Sequence, residues 1–355
     1  MEPQGRTKVV IPVASCIAGM TLMQSIVDEN TGTIIVGKGQ VLTDEILEKL
    51  KNFQHTQVWI SIEEDIVNKV SIKGEQSVWK LDEHKAKAYK LYIQVLKMIV
   101  TDMKQGEILS IEQLIDIVDG MIDGFRDDYS VLSCVHLLDQ VGRDEYTHSM
   151  NVACISLVLG RWLGYDERML RDIIITALLH DIGKLDINPI LIHKNESEMS
   201  SMEKLEYRRH PILGYERLAT YNELNMNILK GILSHHERCD GTGYPLCLRE
   251  DKINSIAKII GLADTYDKLK AQYNVFEIVK NLETKMIRKF DINMLLRFCS
   301  NIMNYYVGAL VLLNTNEIGE VVFIQSQALH RPIVKIKGEH INLYEKTHLE
   351  IVRVI

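Results

Sequence analysis

The chain has 355 residues and a formal net charge of -7, with 46% hydrophobic and 25% charged residues. That length allows about two or three packed domains, and the acidic balance excludes a generally basic surface for nucleic acid polymers or anionic membranes. No uninterrupted apolar segment approaches the ~20 residues of a membrane helix, the first six residues contain no apolar signal region, and the six cysteines form no Cys-x-x-Cys pair. We therefore predict a cytoplasmic protein with reduced thiols and a small-molecule partner.

The hydrophobic patterns divide the chain into a small β-rich domain, a helical connector, a helical core domain and a C-terminal β appendage, over residues 1–77, 78–140, 141–305 and 306–355. In the first segment, Thr43 is placed to cap a helix with an apolar face. After Tyr306 the hydrophobic period falls to two, which is typical of strands. Strands are predicted at residues 9–13, 33–36, 58–62, 309–313, 321–324, 333–336 and 349–352. The predicted fold class is mainly α, with β parts at both ends.

The pair His180-Asp181 follows an apolar helical stripe that includes Ile174, Ala177 and Leu178. Continuing the stripe by four residues beyond Ala177 reaches Asp181, so both polar side chains are expected to point towards the core. A buried carboxylate is costly unless it is paired or bound to a metal, and a neutral imidazole is a ready nitrogen ligand. The pair therefore predicts a metal site, with an ordinary capped helix end as the alternative.

Other histidines and aspartates of the core domain lie at similar positions. His148 heads a buried stripe, His235 ends another and is followed by His236, and Asp264 lies on a third. His210 precedes Pro211, which biases its backbone away from a helix and predicts a break between two helices. Taken singly, these residues could be core histidines, turns or caps. Asp144, four residues before His148, is either a carboxylate on the same face or an N-terminal cap.

The types of ligand indicate which chemistry such a cluster would perform. Imidazoles and carboxylates without thiolates suit iron or manganese, and Asp181 could bridge two ions. Two neighbouring metals can share a hydroxide and stabilise in-line attack on phosphorus. Lys184, one helical turn beyond His180, is placed to neutralise a phosphate oxygen, although a solvated lysine at a helix end would have the same spacing.

These motifs together resemble an HD-GYP domain. The resemblance rests on Asp-Glu-Tyr-Thr-His-Ser at 144–149, His-Asp-Ile-Gly-Lys at 180–184, His-Pro at 210–211 and His-His-Glu-Arg-Cys-Asp-Gly-Thr-Gly-Tyr-Pro at 235–245. It covers roughly residues 140 to 305, and it implies an HD-type helical bundle with two or three iron or manganese ions. The implied activity is hydrolysis of cyclic di-GMP to linear pGpG or GMP.

The resemblance also implies roles for individual residues. The implied metal ligands are His148, His180, Asp181, His210, His235, His236 and Asp264, with Asp144 at a position where an acid can hold a third ion. Asp181 and Lys184 would act in catalysis, and Lys184 would also contact a phosphate of the substrate. The loop of Gly243, Tyr244 and Pro245 would shape the pocket edge and contact partner proteins, and a homodimer is a further expectation.

Two segments depart from the family pattern. Residues 269–276 lack the Arg-Pro-Tyr-Lys-like segment whose basic residues clamp the substrate phosphates, and Lys268 and Lys270 are the nearby substitutes. Residues 193–198 carry acids where the family often has Lys-Pro-Gly, which predicts weaker binding of an anionic substrate. Three hypotheses follow: a cyclic di-GMP phosphodiesterase, a cyclic di-GMP receptor or scaffold with little hydrolysis, and a phosphodiesterase for a linear or different nucleotide.

Overall fold

The computed structural model describes residues 6–12, 21–27, 34–52, 57–63, 81–138 and 144–355. The chain divides into two compact units. The first comprises Met1–Val78, Lys268–Asn281 and Ser300–Ile355, and the second comprises Trp79–Asp267 and Leu282–Cys299. The predicted mainly α fold class is confirmed, and none of the described helices combines the length and apolar composition needed to cross a membrane.

The N-terminal part of the first unit contains short antiparallel strands and one helix. The elements are β1 (Arg6–Pro12), β2 (Thr21–Leu22), β3 (Ile26–Val27), β4 (Ile34–Val36), α1 (Asp44–Asn52) and β5 (Gln57–Glu63). One sheet has the order β1-β5-β2, and β3 pairs with β4. The backbone N–H of Ile46 donates to Thr43 Oγ1 at 3.4 Å, so the predicted cap is confirmed. Val13 and Thr33 of the predicted strands lie outside the described residues.

The C-terminal part of the first unit is a five-stranded antiparallel sheet with the order β10-β6-β7-β8-β9. Its strands are β6 (Leu310–Leu313), β7 (Ile318–Phe323), β8 (Ile333–Ile336), β9 (Glu339–Asn342) and β10 (Ile351–Val354). The predicted strands at residues 309–313 and 321–324 correspond to β6 and β7, which pair antiparallel as a hairpin. The sequence did not predict β9, because Glu-His-Ile-Asn lacks an apolar alternation, and this strand forms by pairing with the more apolar β8.

The second unit is helical. Its helices are α2 (Glu83–Lys104), α3 (Ile111–Gly124), α4 (Asp128–Leu137), α5 (Glu145–Trp162), α6 (Glu167–Leu179), α7 (Pro189–Ile192), α8 (Ser201–Tyr207), α9 (His210–Leu218) and α10 (Met226–Ser234), with most of α11 (Ser255–Lys270). Helix α12 (Val275–Thr284) belongs mostly to the first unit, and most of α13 (Ile292–Asn304) belongs to the second. The central helix is α5, whose side chains are buried on every face from Met150 to Gly160. A helix that is buried all round needs partners on all sides, and α6 is one of them.

The helices predicted as a connector belong to the same compact unit as α5. The Tyr89 hydroxyl on α2 donates to Asn151 Oδ1 on α5 at 2.6 Å, and both side chains are buried. A buried hydrogen bond of this kind fixes α2 against α5, because either group left alone would be costly to bury. The predicted segment boundaries at residues 78, 141 and 306 stay predictions.

Candidate metal centre

The structure brings seven of the eight predicted metal ligands together in two groups. The His148 group consists of His148, His180 and Asp264, and the His210 group consists of Asp181, His210, His235 and His236. Within each group, one ligand atom from every residue lies within 4.8 Å of the others. His180, His210 and His235 are completely buried, and Asp264 is 1% exposed.

The backbone around the His-Asp pair explains how the two groups meet. Helix α6 ends at Leu179, His180 caps it, and a 3₁₀ turn begins at Ile182. A Cβ atom on Gly183 would overlap the carbonyl oxygen of His210 and the backbone nitrogen of Gly214. Only glycine therefore allows this turn to approach the start of α9, and that approach brings His210 next to Asp181.

The imidazole rings are held in one orientation by hydrogen bonds to their own helices. The Nδ1–H groups of His180, His210 and His235 donate to the carbonyl oxygens three residues earlier, at 2.7, 2.8 and 2.7 Å. A carbonyl oxygen can only accept, so in each ring the proton is on Nδ1. The Nε2 atom of each neutral ring therefore presents a lone pair to the site, as a metal ligand must.

The Asp181 carboxylate lies between the two groups. Its Oδ2 atom is 3.3 Å from His180 Nε2 and 3.9 Å from His148 Nε2. Its Oδ1 atom is 3.3 Å from His210 Nε2 and 3.9 Å from His235 Nε2. Each oxygen thus faces a different group, which is the arrangement of a carboxylate that bridges two cations.

The donor atoms fit divalent cations. The Nε2 atoms of His210 and His235 lie 3.4 Å apart, and both carry lone pairs, because both rings are protonated on Nδ1. Two lone pairs at this separation repel each other unless a positive charge lies near them. In addition, Nε2 of His148, Nε2 of His180 and Oδ1 of Asp181 are buried without a hydrogen bond among the described residues. Buried polar atoms are rarely left in this state, and coordination of a metal would satisfy them.

The pKa values of Asp181 and His235 agree with a role of both residues as metal ligands. Burial alone would raise the pKa of Asp181, but Lys184 and His180 hold it well below its ordinary value, so the carboxylate is ionised. Burial, followed by the neighbouring His180 and His210, lowers the pKa of His235 well below its ordinary value, so this ring is neutral. Ionised carboxylates and neutral imidazoles are the forms that bind metals.

The sequence model of the HD domain family matches residues 133–284. The chain is 30% identical over 244 residues to the cyclic di-GMP phosphodiesterase PA4108 of Pseudomonas aeruginosa, covering 66% of this chain and 58% of the relative. It is 29% identical over 197 residues to the cyclic di-GMP phosphodiesterase PdeB of Borreliella burgdorferi, covering 53% and 50%. The chain therefore carries an HD domain. It spans 58% and 50% of the length of these two curated relatives.

A solved structure agrees with the fold of this chain. Bd1817, an HDG"Y"P protein from Bdellovibrio bacteriovorus, aligns with a TM-score of 0.51 and 17% sequence identity, covering 84% of this chain and 100% of the other. At that identity the similarity supports the fold alone.

The GYP loop of the HD-GYP motif packs directly behind the His210 group. The Tyr244 ring lies 4.6 Å from the His236 ring, measured between centroids. A Cβ atom on Gly243 would overlap the backbone at His236, Glu237 and Arg238, so the close return of the loop requires glycine. The buried Glu237 carboxylate accepts from the backbone N–H groups of Leu246 and Leu248, at 2.6 and 2.8 Å. Glu237 therefore anchors the loop, a role that the sequence analysis did not assign.

Asp267 supports the site from behind His148. Its Oδ2 atom lies 2.8 Å from His148 Nδ1, on the side of the ring away from the His148 group, and Asp267 is completely buried. A carboxylate behind a ligating histidine orients the ring and makes it more basic. Asp267 follows Asp264 by three residues, so helical spacing places both on the inward face of their helix, but nothing local in the sequence indicates this partner.

Neither group contains Asp144, Lys268 or Lys270, which the sequence predicts to bind metal or substrate. Asp144 is the exposed N-cap of α5, and its carboxylate accepts from the backbone N–H of Thr147 at 2.8 Å. These contacts are those of a cap, and its part in a third metal site stays a prediction. Lys268 and Lys270 belong to the final turn of α11, within the first compact unit, and their substrate contacts also stay predictions.

The acidic loop at residues 193–198 is partly neutralised. Glu196 pairs with Arg208 at 2.5 Å, and Lys194 pairs with Glu203 at 2.9 Å. The sequence predicted that the acids of this loop would repel an anionic substrate. The ion pair of Glu196 weakens that argument, because a paired carboxylate exerts a much smaller field on its surroundings.

Proposed function

We propose that this HD-GYP protein is a metal-dependent phosphodiesterase that hydrolyses cyclic di-GMP to linear pGpG or GMP. The observation that carries the proposal is the position of the Asp181 carboxylate, with one oxygen towards each group of ligands. Paired metal sites of this kind are typical of enzymes that hydrolyse phosphate esters. The names of both curated relatives, cyclic di-GMP phosphodiesterases, support the choice of substrate.

Two divalent ions, iron or manganese, would be held by the His148 group and the His210 group, with Asp181 contributing to both. When bound, such ions lower the pKa of water and stabilise negative charge on phosphoryl oxygens. A set of imidazoles and carboxylates without thiolates favours these metals. Buried walls and fixed ring orientations keep the ligands in place without further rearrangement.

Lys184 is the proposed phosphate contact. Its Nζ atom lies 2.6 Å from Asp181 Oδ2 and 5.7 Å from the centroid of the Tyr207 ring. Burial lowers the pKa of Lys184, but Asp181 and other neighbours outweigh burial and raise it above its ordinary value, so the ammonium stays charged. We infer that it binds a non-bridging phosphate oxygen and stabilises the charge that develops there.

The GYP loop would form part of the substrate site. Gly243, Tyr244 and Pro245 lie behind the ligand His236 and would shape the pocket edge, as the family resemblance implies. Leu246, the next residue, is 55% exposed, and this exposure supports the prediction that the loop contacts partner proteins. A homodimer remains a prediction from the resemblance alone.

The test combines metal analysis with hydrolysis. Purified protein, loaded with iron or manganese under reducing conditions, is analysed by elemental mass spectrometry and then incubated with cyclic di-GMP, with products separated by chromatography. We expect bound metal and conversion to pGpG or GMP, and removal of the metal by a chelator should stop the reaction. Metal-loaded protein that leaves cyclic di-GMP and pGpG intact would contradict the proposal.

The second candidate is a cyclic di-GMP receptor, which the missing basic clamp favours. The segment after α11 is a short turn in which Asn274 accepts from the N–H of Glu277 and caps α12, and residues 269–276 contain no arginine. Tight binding of cyclic di-GMP without turnover would support a receptor. A panel with cyclic di-GMP, pGpG and other cyclic dinucleotides separates both candidates from an enzyme for a different nucleotide.

A further inference from the structure

A cleft of about 150 Å³ lies next to the metal centre, with Asp181 and Lys184 in its lining. Its walls come from α2, the first turns of α5 and the segment from Leu185 to His193. Most of the wall is apolar, through Leu96, Val100, Leu178, Ile182, Ile187 and Ile192. A cleft with an apolar wall and a few polar groups next to a reactive centre is typical of a ligand site.

The polar side of the cleft is the start of α5. Glu145 and Tyr146 line it there, and Lys97 Nζ on α2 lies 5.5 Å from the centroid of the Tyr146 ring. The carboxylate and the aromatic ring therefore lie together in the cleft, a pairing that suits a planar base with hydrogen-bond donors.

The wall provided by α2 has a fixed position. The buried hydrogen bond from Tyr89 to Asn151 joins α2 to α5, and Leu96 and Ile99 are each 1% exposed on the same helix. A wall held by buried contacts presents the same shape to every ligand, as selectivity requires.

We propose that this cleft binds a guanine base of the substrate, with the Glu145 carboxylate accepting hydrogen bonds from the N1–H and N2–H₂ groups of the base. Guanine has these two adjacent donors on its Watson–Crick edge. Adenine instead has an acceptor at N1 on the same edge, which a carboxylate repels. The inference rests on the proposed phosphodiesterase function, and it goes further by assigning a residue that selects the base.

A carboxylate in a site for an anion must be compensated, and the cleft provides the compensation. Lys104 and Lys184 both line it, so two ammonium groups share the cleft with Glu145. Phosphates can bind near the lysines while the uncharged base reaches Glu145. Glu145 also has an alternative role that needs no ligand. It is an acid in the first turn of a helix, where its negative charge interacts favourably with the helix dipole.

The test uses Glu145→Gln, which keeps the size of the side chain and replaces one carboxylate oxygen with a donor. Glu83→Gln is the matched control, because Glu83 also follows an aspartate N-cap at the exposed start of a helix and does not line the cleft. Binding of GMP and AMP to metal-loaded protein is measured by calorimetry, and kcat/KM is measured for cyclic di-GMP and cyclic di-AMP.

We expect the unsubstituted protein to prefer GMP to AMP, and Glu145→Gln to weaken GMP binding and kcat/KM for cyclic di-GMP by about 10- to 100-fold, the effect of a lost hydrogen bond to a charged group. AMP binding should strengthen, because the carboxamide can donate to N1 of adenine, while metal content and the Glu83→Gln control should be unchanged. Equal losses for GMP and AMP, no loss, or no binding of either nucleotide would overturn the inference. If discrimination at Glu145 is found but no cyclic dinucleotide is hydrolysed, the inference stands and the proposed function fails.

Discussion

The two groups of candidate ligands differ in how many carboxylates surround their imidazoles. In the His148 group, Asp264 is a candidate ligand and Asp267 contacts His148 from behind, so carboxylates flank one imidazole on both sides. In the His210 group, three imidazoles converge and Asp181 is the carboxylate. The consequence is visible in the pKa values: burial lowers the pKa of His148 but the two aspartates outweigh it and raise it, whereas burial and neighbouring imidazoles lower that of His235.

The comparison predicts that the His148 group would hold a cation mainly through nearby negative charge. The His210 group would depend on its imidazoles and on the single carboxylate that it shares. Asp181 should therefore matter most, because its loss leaves the His210 group with imidazoles only. Changes that affect one group alone should have smaller effects.

The largest effect is expected for Asp181→Ala, which removes the shared carboxylate. Both groups should lose affinity for metal, and hydrolysis should fall to background, because each side loses a ligand oxygen. Elemental analysis and the hydrolysis assay measure the change. Asp186→Ala is the control, since Asp186 pairs with Arg217 outside both groups. Unchanged metal content in the Asp181 variant would refute a bridging role.

The next effect is expected for Lys184→Ala. The lysine contacts Asp181 but belongs to neither group, so metal content should persist while kcat/KM falls by about 10²- to 10³-fold, as for loss of one group that stabilises charge in the transition state. Lys337→Ala is a control on the exposed surface, where Lys337 pairs with Glu317. Loss of metal in the Lys184 variant would show that Lys184 supports the centre rather than the substrate.

Asp267→Asn tests the His148 group alone. It keeps the shape of the side chain but removes the charge behind His148, so we expect metal affinity to fall by about 10- to 100-fold, with a slower reaction. Titration with manganese, followed by its paramagnetic resonance signal, measures the affinity of each site. If both sites weaken equally, the two groups are not as independent as their contacts indicate.

The smallest effect concerns the stability of the metal-free protein as a function of pH. The pKa of His235 is held below its ordinary value of 6.5. Below pH 6.5 the imidazole is therefore protonated in the unfolded chain but still neutral in the folded protein. Stability should therefore fall as pH falls, by up to ~1.4 kcal/mol per pH unit for one such group. The pKa of His148 is raised, so this residue affects stability in a different pH range. Its contribution to the free energy of unfolding is fully present below pH 6.5 and is lost as the pH rises through the pKa of His148 in the folded protein.

Urea unfolding between about pH 5 and pH 8 measures both contributions. His235→Gln should flatten the acidic side of the profile, and His148→Gln should flatten the side above pH 6.5. Identical profiles for the two variants would contradict the proposed difference in charge between the groups.

The sequence predicted which histidines and aspartates come together, because most of them lie at the end of a local pattern. His180 follows a helical stripe, His210 precedes a proline at a helix break, and His235 ends another stripe, and all three are buried in the structure. Hydrophobic periodicity and helix breaks depend on residues that are close together in the sequence, so a single sequence is enough to identify them. The same reasoning did not separate a ligand from a cap at Asp144, since both require an acid near the start of a helix.

Features that depend on distant residues could not be predicted from the sequence. Asp267 meets His148 across 119 positions of the chain, and nothing local distinguishes it from other inward-facing acids. The pairing of Glu196 with Arg208 likewise depends on how the loop folds back. The cleft combines α2 with the His-Asp turn, and no periodic pattern connects these two segments.

The central claim is that Asp181 joins two metal sites. A crystal structure of metal-loaded protein, with anomalous scattering recorded at the absorption edge of the bound metal, tests it most directly. We predict two anomalous peaks, one on each side of the Asp181 carboxylate, the first among His148, His180 and Asp264 and the second among His210, His235 and His236. A single peak, or none beside Asp181 in protein that contains metal, would contradict the claim.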